Sequence, residues 1–318
     1  MIGFSSKIML NSKKWEFKRR IKPRIKELKF SLSRIKKSPL SLIGLSLILL
    51  FGFIALLAPI IAPPKYPHEP YRIPRSGYSA TPQPPNYQHP FGTTQGQYDI
   101  YYGVIWGTRT AFRIGFMVVG SILVIGIILG SISGYYGGLV DEIIMRIVDT
   151  FMSLPTLVLA MALVTALGHS LDNVMKALII VGWPSYARLI RGDILSVREE
   201  TYVEAARAIG CSNLSIIFKH VLPNAIYPLL IMASLDVGAM VLTAAALSFL
   251  GLGAPIGYAD WGQMISFARN WIVGPPNNPL AYWYTVVIPG LFILFFVLGW
   301  NLLGDAFRDI LDPKIRRR

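Results

Sequence analysis

The sequence predicts an all-α membrane protein with six transmembrane helices. Three observations lead there. Of the 318 residues, 53% are hydrophobic and 15% are charged, where soluble domains average about 25% charged. Six stretches approach the roughly 20 apolar residues that a spanning helix needs: about 40–62, 112–134, 143–168, 172–192, 225–252 and 282–303. Lysine and arginine are unevenly shared among the segments between them.

Residues 1–38 form a basic arm. Within 1–37, 13 Lys/Arg face only Glu16 and Glu27, so the arm supplies +11 of the formal net charge of +14. Charge held in a tail is not the basic face of a folded nucleic-acid-binding module, and no nucleic acid is expected as a partner. Pro23 can start a helix whose Ile25, Leu28, Leu32 and Ile35 make an apolar stripe among lysines. Such a stripe suits an anionic lipid surface; an orientation signal with no further role explains it equally well.

The first apolar run, 39–62, exceeds the 7–15 residues of a signal-peptide core, which makes it an uncleaved anchor. Residues 63–110 follow as an extracytoplasmic loop rich in proline and tyrosine, with nine prolines between 63 and 90. Proline at that density favours extended backbone with few internal hydrogen bonds. A five-helix core, 111–304, and a tail, 305–318, complete the chain. With the N-terminus inside, the inner segments hold 24 of the 31 Lys/Arg and the outer ones six. The positive-inside bias therefore puts both termini in the cytoplasm of a multi-pass plasma-membrane protein. The 172–192 stretch is the weakest span, because Trp183-Pro184-Ser185-Tyr186-Ala187-Arg188 makes its end polar.

Charges inside the core need partners. Asp236 falls near the middle of the fifth run. It must face protein or water, either lining a pathway or bonding a neighbouring helix. Asp149 has Arg146 at i−3, a spacing that suits an ion pair on one helix face. The four histidines are scattered without metal-ligand spacing, and Cys211 is the sole cysteine, which excludes an internal disulfide and a cysteine metal cluster.

The cytoplasmic loop 199–224 is the most distinctive element. Glu199 to Ile209 is rich in helix formers, with acids toward its N-terminal end. Gly210 supplies a left-handed residue to end that helix, and Ser212 can cap the next. There Leu214, Ile217, Phe218 and Val221 fall at helical spacing on one stripe, and Pro223 is expected to stop the helix. Small Ala205 and Ala206 would let another surface approach. The plainer alternative is a loop that packs only against its own helix ends.

The order Glu204-Ala205-Ala206, three residues, Gly210, then Leu222-Pro223-Asn224 resembles the coupling loop of ATP-binding-cassette importer permeases. Further matches lie at His89-Pro90-Phe91-Gly92-Thr93, Gly134-Tyr135-Tyr136-Gly137-Gly138 with Asp141, Leu247-Ser248-Phe249-Leu250-Gly251-Leu252-Gly253 with Trp261-Gly262, and Asn301-Leu302-Leu303-Gly304-Asp305. From about residue 35 onward the chain is similar to the dipeptide/oligopeptide/nickel permeases, and its His-Pro-Phe-Gly-Thr element to the second of their paired subunits. The resemblance implies a type I importer permease with one extra N-terminal helix before a five-helix core. Glu204, Ala205, Ala206, Gly210, Leu214, Phe218, Leu222 and Pro223 would form the ATPase-coupling loop, and Asp236 is a possible pathway residue. Implied partners are a homologous permease, two ATPase subunits carrying ATP and Mg, and an extracytoplasmic solute-binding protein. The chain itself would bind no cofactor and catalyse nothing; it contains no Gly-x-x-x-x-Gly-Lys-Ser/Thr phosphate loop. Peptides are the default substrate, with oligosaccharides and nickel open. A self-sufficient secondary transporter is the rival class. The chain departs from the family pattern at Thr94, at Gln97-Tyr98-Asp99 and at Thr243-Ala244-Ala245-Ala246.

Overall fold

The computed structural model describes residues 38–311. The basic arm, with its stripe of Ile25, Leu28, Leu32 and Ile35, and the last residues of the tail lie outside the described residues. Among the described residues no strand forms; three isolated bridges tie loops together.

Helix α1, Pro39–Ile61, starts where the Ser38 side chain accepts from the Ser41 amide. Helix α2, Ile100–Tyr136, begins well before its apolar run because Asp99 caps it, accepting from the Tyr102 amide at 2.9 Å. Helix α3, Gly138–Met152, follows a two-glycine turn, and α4, Thr156–Leu167, turns 89° away from it. The sequence reads 143–168 as one apolar run; the structure breaks it at Ser153–Pro155. Pro155 disfavours helical geometry in the residue before it and has no amide hydrogen to donate.

Helix α5, Leu171–Val197, passes through Pro184 unbroken. The polar segment then holds α6, Thr201–Ala208; α7, Asn213–Ile216; a π-helical turn, Ile217–Val221; and α8, Leu222–Ala225. Helix α9, Tyr227–Phe249, is followed by short α10, Trp261–Phe267, and by α11, Tyr284–Leu311. Helices α1, α2, α9 and α11 are each long and apolar enough to cross a membrane; α3 with α4 makes a fifth if the broken pair is one span. Helix α5 has the length, but Asp172, Lys176, Arg188, Arg191 and Asp193 dilute its apolar character.

Helix α2 is the axis of the molecule. It packs most extensively against α5, and also against α9, α3 and α1. The α2–α5 seam is closed by Gly126, Gly130 and Gly134, four residues apart on one face. A Cβ on Gly126 would lie 2.4 Å from Tyr186 Cβ, and one on Gly130 would lie 2.4 Å from the Ala187 carbonyl oxygen. Small residues at that spacing let helix backbones touch in lipid, where no hydrophobic effect drives helices together. Helix α1 is peripheral: 17% of its apolar window is buried, against 44% for α2. Phe51 fastens it edge-on to Trp261 of α10 and to Phe292 and Phe296 of α11.

One end of the bundle carries the 62–99 and 250–283 loops. They are pinned to α2 by side chains. Trp106 Nε1 donates to the Ala62 carbonyl (2.9 Å), Tyr102 Oη to Pro70 (2.6 Å), Thr110 Oγ1 to Ala259 (2.8 Å), and Trp261 Nε1 to Val104 (3.1 Å). His89 bridges Ser76 Oγ and Asp99 Oδ2, at 2.6 Å each. So the proline-rich loop is fixed to the start of α2, and, against the expectation from its prolines, it also holds itself with backbone bonds such as Thr93 N to Gln83 O (3.0 Å), Gly96 N to Ser79 O (3.1 Å) and Asp99 N to Pro74 O (3.1 Å).

Gln97 has φ +64° and is the one non-glycine with positive φ among the described residues. A left-handed backbone costs a side-chain-bearing residue roughly 1–2 kcal/mol. Its buried amide offsets that by donating to Thr81 O at 2.7 Å and accepting from Thr93 Oγ1 at 3.2 Å. Gln97→Ala keeps the strain and loses both bonds, so stability falls by about 1–3 kcal/mol. Gln97→Gly loses the bonds but sheds the strain. Thermal midpoints should rank wild type, then Gln97→Gly, then Gln97→Ala; Ala matching wild type would contradict this account.

Candidate functional site

The polar segment 198–226 stands at the other end of the bundle, beside the end of α2. Helix α6 has Glu204 in its first turn and Arg207 in its last, each sign matching the helix dipole. Gly210, at φ +83°, ends it. The Gly210 amide donates to Arg207 O (3.0 Å) and the Cys211 amide to Ala206 O (3.1 Å), the paired pattern of a glycine-terminated helix. Ser212 caps α7, its Oγ accepting from the Ser215 amide.

Pro223 does not stop the following helix. A π turn precedes it, in which the Leu222 amide reaches back to Ile217 O. That wider turn re-pairs the backbone just before a residue with no amide hydrogen, and the chain stays helical to Ala225. The expected apolar stripe is divided as a result. Ile217 and Val221 are buried with Ile216, whereas Leu214 and Phe218 stand 63% and 62% exposed. The alanine pair divides as well: Ala206 is buried with Val203 in the core, and Ala205 faces out beside Glu204. Ile209, next to the turning glycine, is 81% exposed. Partial burial and the nearby Glu200 carboxylate push the Tyr202 phenol above its ordinary pKa, against an opposing hydrogen bond with Asn224. Tyr202 thus remains an uncharged, amphipathic part of this face.

The segment therefore presents Ala205, Ile209, Leu214 and Phe218 outward from a helix–turn–helix whose inner side is anchored. Leu222 is half-buried and Pro223 exposed. Exposed apolar patches rimmed by polar residues are a common form of interaction site.

Asp236, on α9, follows this segment closely in the chain but is carried away from it by the first turns of that helix. Its Oδ2 accepts from Tyr186 Oη of α5 at 2.7 Å, so it bonds a neighbouring helix. Asp149 does not pair with Arg146. It pairs with Arg188 of α5, and Arg146 sits 3.7 Å from Glu142. The reason is that α3 packs against α5, which sets Asp149 opposite the Arg188 guanidinium. Among the described residues no group of three or more His, Cys, Asp or Glu converges as a metal site.

Sequence reasoning missed two sets of residues. One is the glycine seam of α2, legible in principle from its Gly-x-x-x-Gly-x-x-x-Gly spacing. The other is the set of polar side chains that join the segment to the bundle: Tyr135, Asp141, Arg191, Arg198 and Asn213. Their spacing along the chain carries no signal of pairing.

The fold matches the inward-facing MetNI methionine ABC transporter with a TM-score of 0.53 at 20% identity, over 66% of this chain and 97% of that one. The chain thus shares the fold of the matched chain of that transporter. A family described as "Binding-protein-dependent transport system inner membrane component" matches residues 126–317, and "N-terminal TM domain of oligopeptide transport permease C" matches residues 30–90. The chain belongs to the binding-protein-dependent transport permeases. Its relatives include the dipeptide transport system permease protein DppC of Alkalihalophilus pseudofirmus, 39% identical over 90% of both chains. The probable D,D-dipeptide transport system permease protein DdpC of Escherichia coli K12 is 41% identical over 88% of this chain and 89% of that one. The oligopeptide transport system permease protein OppC of Bacillus subtilis is 35% identical over 91% and 90%.

Proposed function

We propose that this chain forms half of the translocation pathway of an ATP-driven peptide importer, beside a second, homologous permease. It takes peptides from an extracytoplasmic binding protein. Two ATPase subunits, holding ATP and Mg, drive it from the cytoplasm. The relatives' names, for dipeptides, D,D-dipeptides and oligopeptides, support the substrate class. Six crossings are proposed: α1, α2, the broken pair α3–α4, α5, α9 and α11. The loops 62–99 and 250–283 then lie outside. The 198–226 segment and both termini lie inside, in accord with the lysine and arginine bias. Asp236 is proposed to sit beside the pathway, held by Tyr186.

The observation that carries this reading is the outward apolar group on the polar segment. We assign Glu204, Ala205 and Gly210, with Ile209, Leu214 and Phe218, to the contact with an ATPase subunit, and Ala206, Leu222 and Pro223 to the support behind it. Closure of the ATPase pair displaces this segment, and the helices rearrange to alternate access.

Leu214→Asp with Phe218→Asp places two charges in that contact. The expected result is normal membrane insertion, loss of ATPase co-purification and at least a hundredfold fall in peptide uptake, since each interface anchor is worth about 2 kcal/mol or more. Wild-type uptake by the double variant would refute the assignment. Peptide uptake that needs ATP and survives collapse of ion gradients excludes a secondary transporter.

A further inference from the structure

The end of α2 is where the polar segment grips the bundle, and it does so with side chains from three elements. Tyr135 Oη donates to Asn213 Oδ1 of α7 at 3.0 Å. Arg198, the C-cap of α5, donates through Nη1 to the carbonyls of Gly134 (2.9 Å) and Tyr135 (3.4 Å). These are among the last carbonyls of α2, which have no partner within their own helix. From α3, Asp141 is held by Ser133 Oγ and, with two bonds of 2.5 Å, by the Arg191 guanidinium of α5. The two-glycine turn at Gly137 (φ +69°) and Gly138 (φ +56°) folds α3 back so that Asp141 meets this cluster. Tyr135 itself is buried.

We propose that Tyr135 is the positioning residue through which the polar segment moves α2, with Arg198 and the Asp141–Arg191 pair fixing α2, α3 and α5 as one body. This rests on the coupling role assigned above. The geometry gives the reason. Beyond Arg198, which stays with the end of α5, the rest of the segment buries apolar side chains such as Val203, Ala206, Ile216 and Val221, and apolar contacts slide with little directional cost. Tyr135–Asn213 is directional and sits at the last turn of the longest helix. Behind it the glycine seam locks α2 to α5, so displacement at Asn213 passes into the bundle without being absorbed at the helix end.

The test uses the reconstituted complex of both permeases, the ATPase subunits and the binding protein. Tyr135→Phe removes one hydroxyl and leaves the ring. It should leave assembly and ATP hydrolysis near wild type and lower the number of peptides imported per ATP by roughly two- to tenfold, the range set by one neutral hydrogen bond. Asn213→Ala should do the same, and the double variant should be no worse than either alone. A variant defective only through misfolding would lose hydrolysis and uptake together. An unchanged ratio for Tyr135→Phe, or additive effects in the double variant, overturns this proposal and leaves the coupling assignment standing. A wild-type chain that does not assemble with the ATPase subunits overturns both.

Discussion

Gly130→Leu should abolish accumulation of a folded, transport-competent protein, and even Gly130→Ala should lower the thermal midpoint of the purified chain. At this position a Cβ would lie 2.3 Å from Ile190 Cγ2, 2.4 Å from the Ala187 carbonyl oxygen and 3.0 Å from the Ala187 Cα. Two of those three atoms are backbone, so no side-chain rotation relieves the clash and α2 and α5 must separate. Overpacking usually costs about 1–3 kcal/mol, and separation here also loosens the seam at Gly126 and Gly134. Gly120→Ala is the internal control. It lies on the same helix with nothing within 4 Å of its Cβ direction, and alanine favours helix over glycine by about 1 kcal/mol. Its midpoint should not fall. Equal midpoints for Gly130→Ala and wild type would mean that the helices are not in backbone contact as described.

That seam also shows which parts of the structure the sequence reveals. Local chemistry was legible: Ser212 as a cap and Gly210 as a left-handed terminator are decided by residues within one turn, and both appear as expected. The apolar runs located the bundle for the same reason, since a membrane demands them along the chain. What was not legible depends on where a helix sits against its neighbours. Pro155 and Pro184 both fall within apolar runs, yet α5 continues through Pro184 while Pro155 marks an 89° bend. Asp149 has Arg146 nearby in sequence but pairs with Arg188, because α3 packs against α5. The stripe Leu214, Ile217, Phe218, Val221 reads as one face under a 3.6-residue period, and the π turn breaks that period. The same turn is what leaves Leu214 and Phe218 outward. Here the departure from regular helix falls at the proposed contact itself, as is common for π turns.

Gly210→Val should uncouple ATP hydrolysis from peptide uptake while leaving insertion and the bundle intact. Nothing lies within 4 Å of the Cβ direction at Gly210, so the substitution meets no steric neighbour; its cost is wholly in the backbone. At φ +83° a side-chain-bearing residue pays roughly 1–2 kcal/mol, and a β-branched one more. The bonds from the Gly210 and Cys211 amides that end α6 are lost if the residue relaxes to negative φ. The turn then opens, and Ile209 parts from Leu214 and Phe218, which must act together for the segment to seat on a partner. A cost of that size, set against a short helix–turn–helix, is enough to populate the opened form heavily, and uptake should fall about tenfold or more. Gly210→Asn separates strain from bulk, because asparagine tolerates the left-handed region; it should retain most uptake. Measuring ATPase co-purification and peptide uptake for both variants decides the matter. Full uptake by Gly210→Val would show that the shape of this turn is immaterial and that the segment does not couple. Loss in both variants alike would assign the effect to bulk at the surface rather than to backbone conformation.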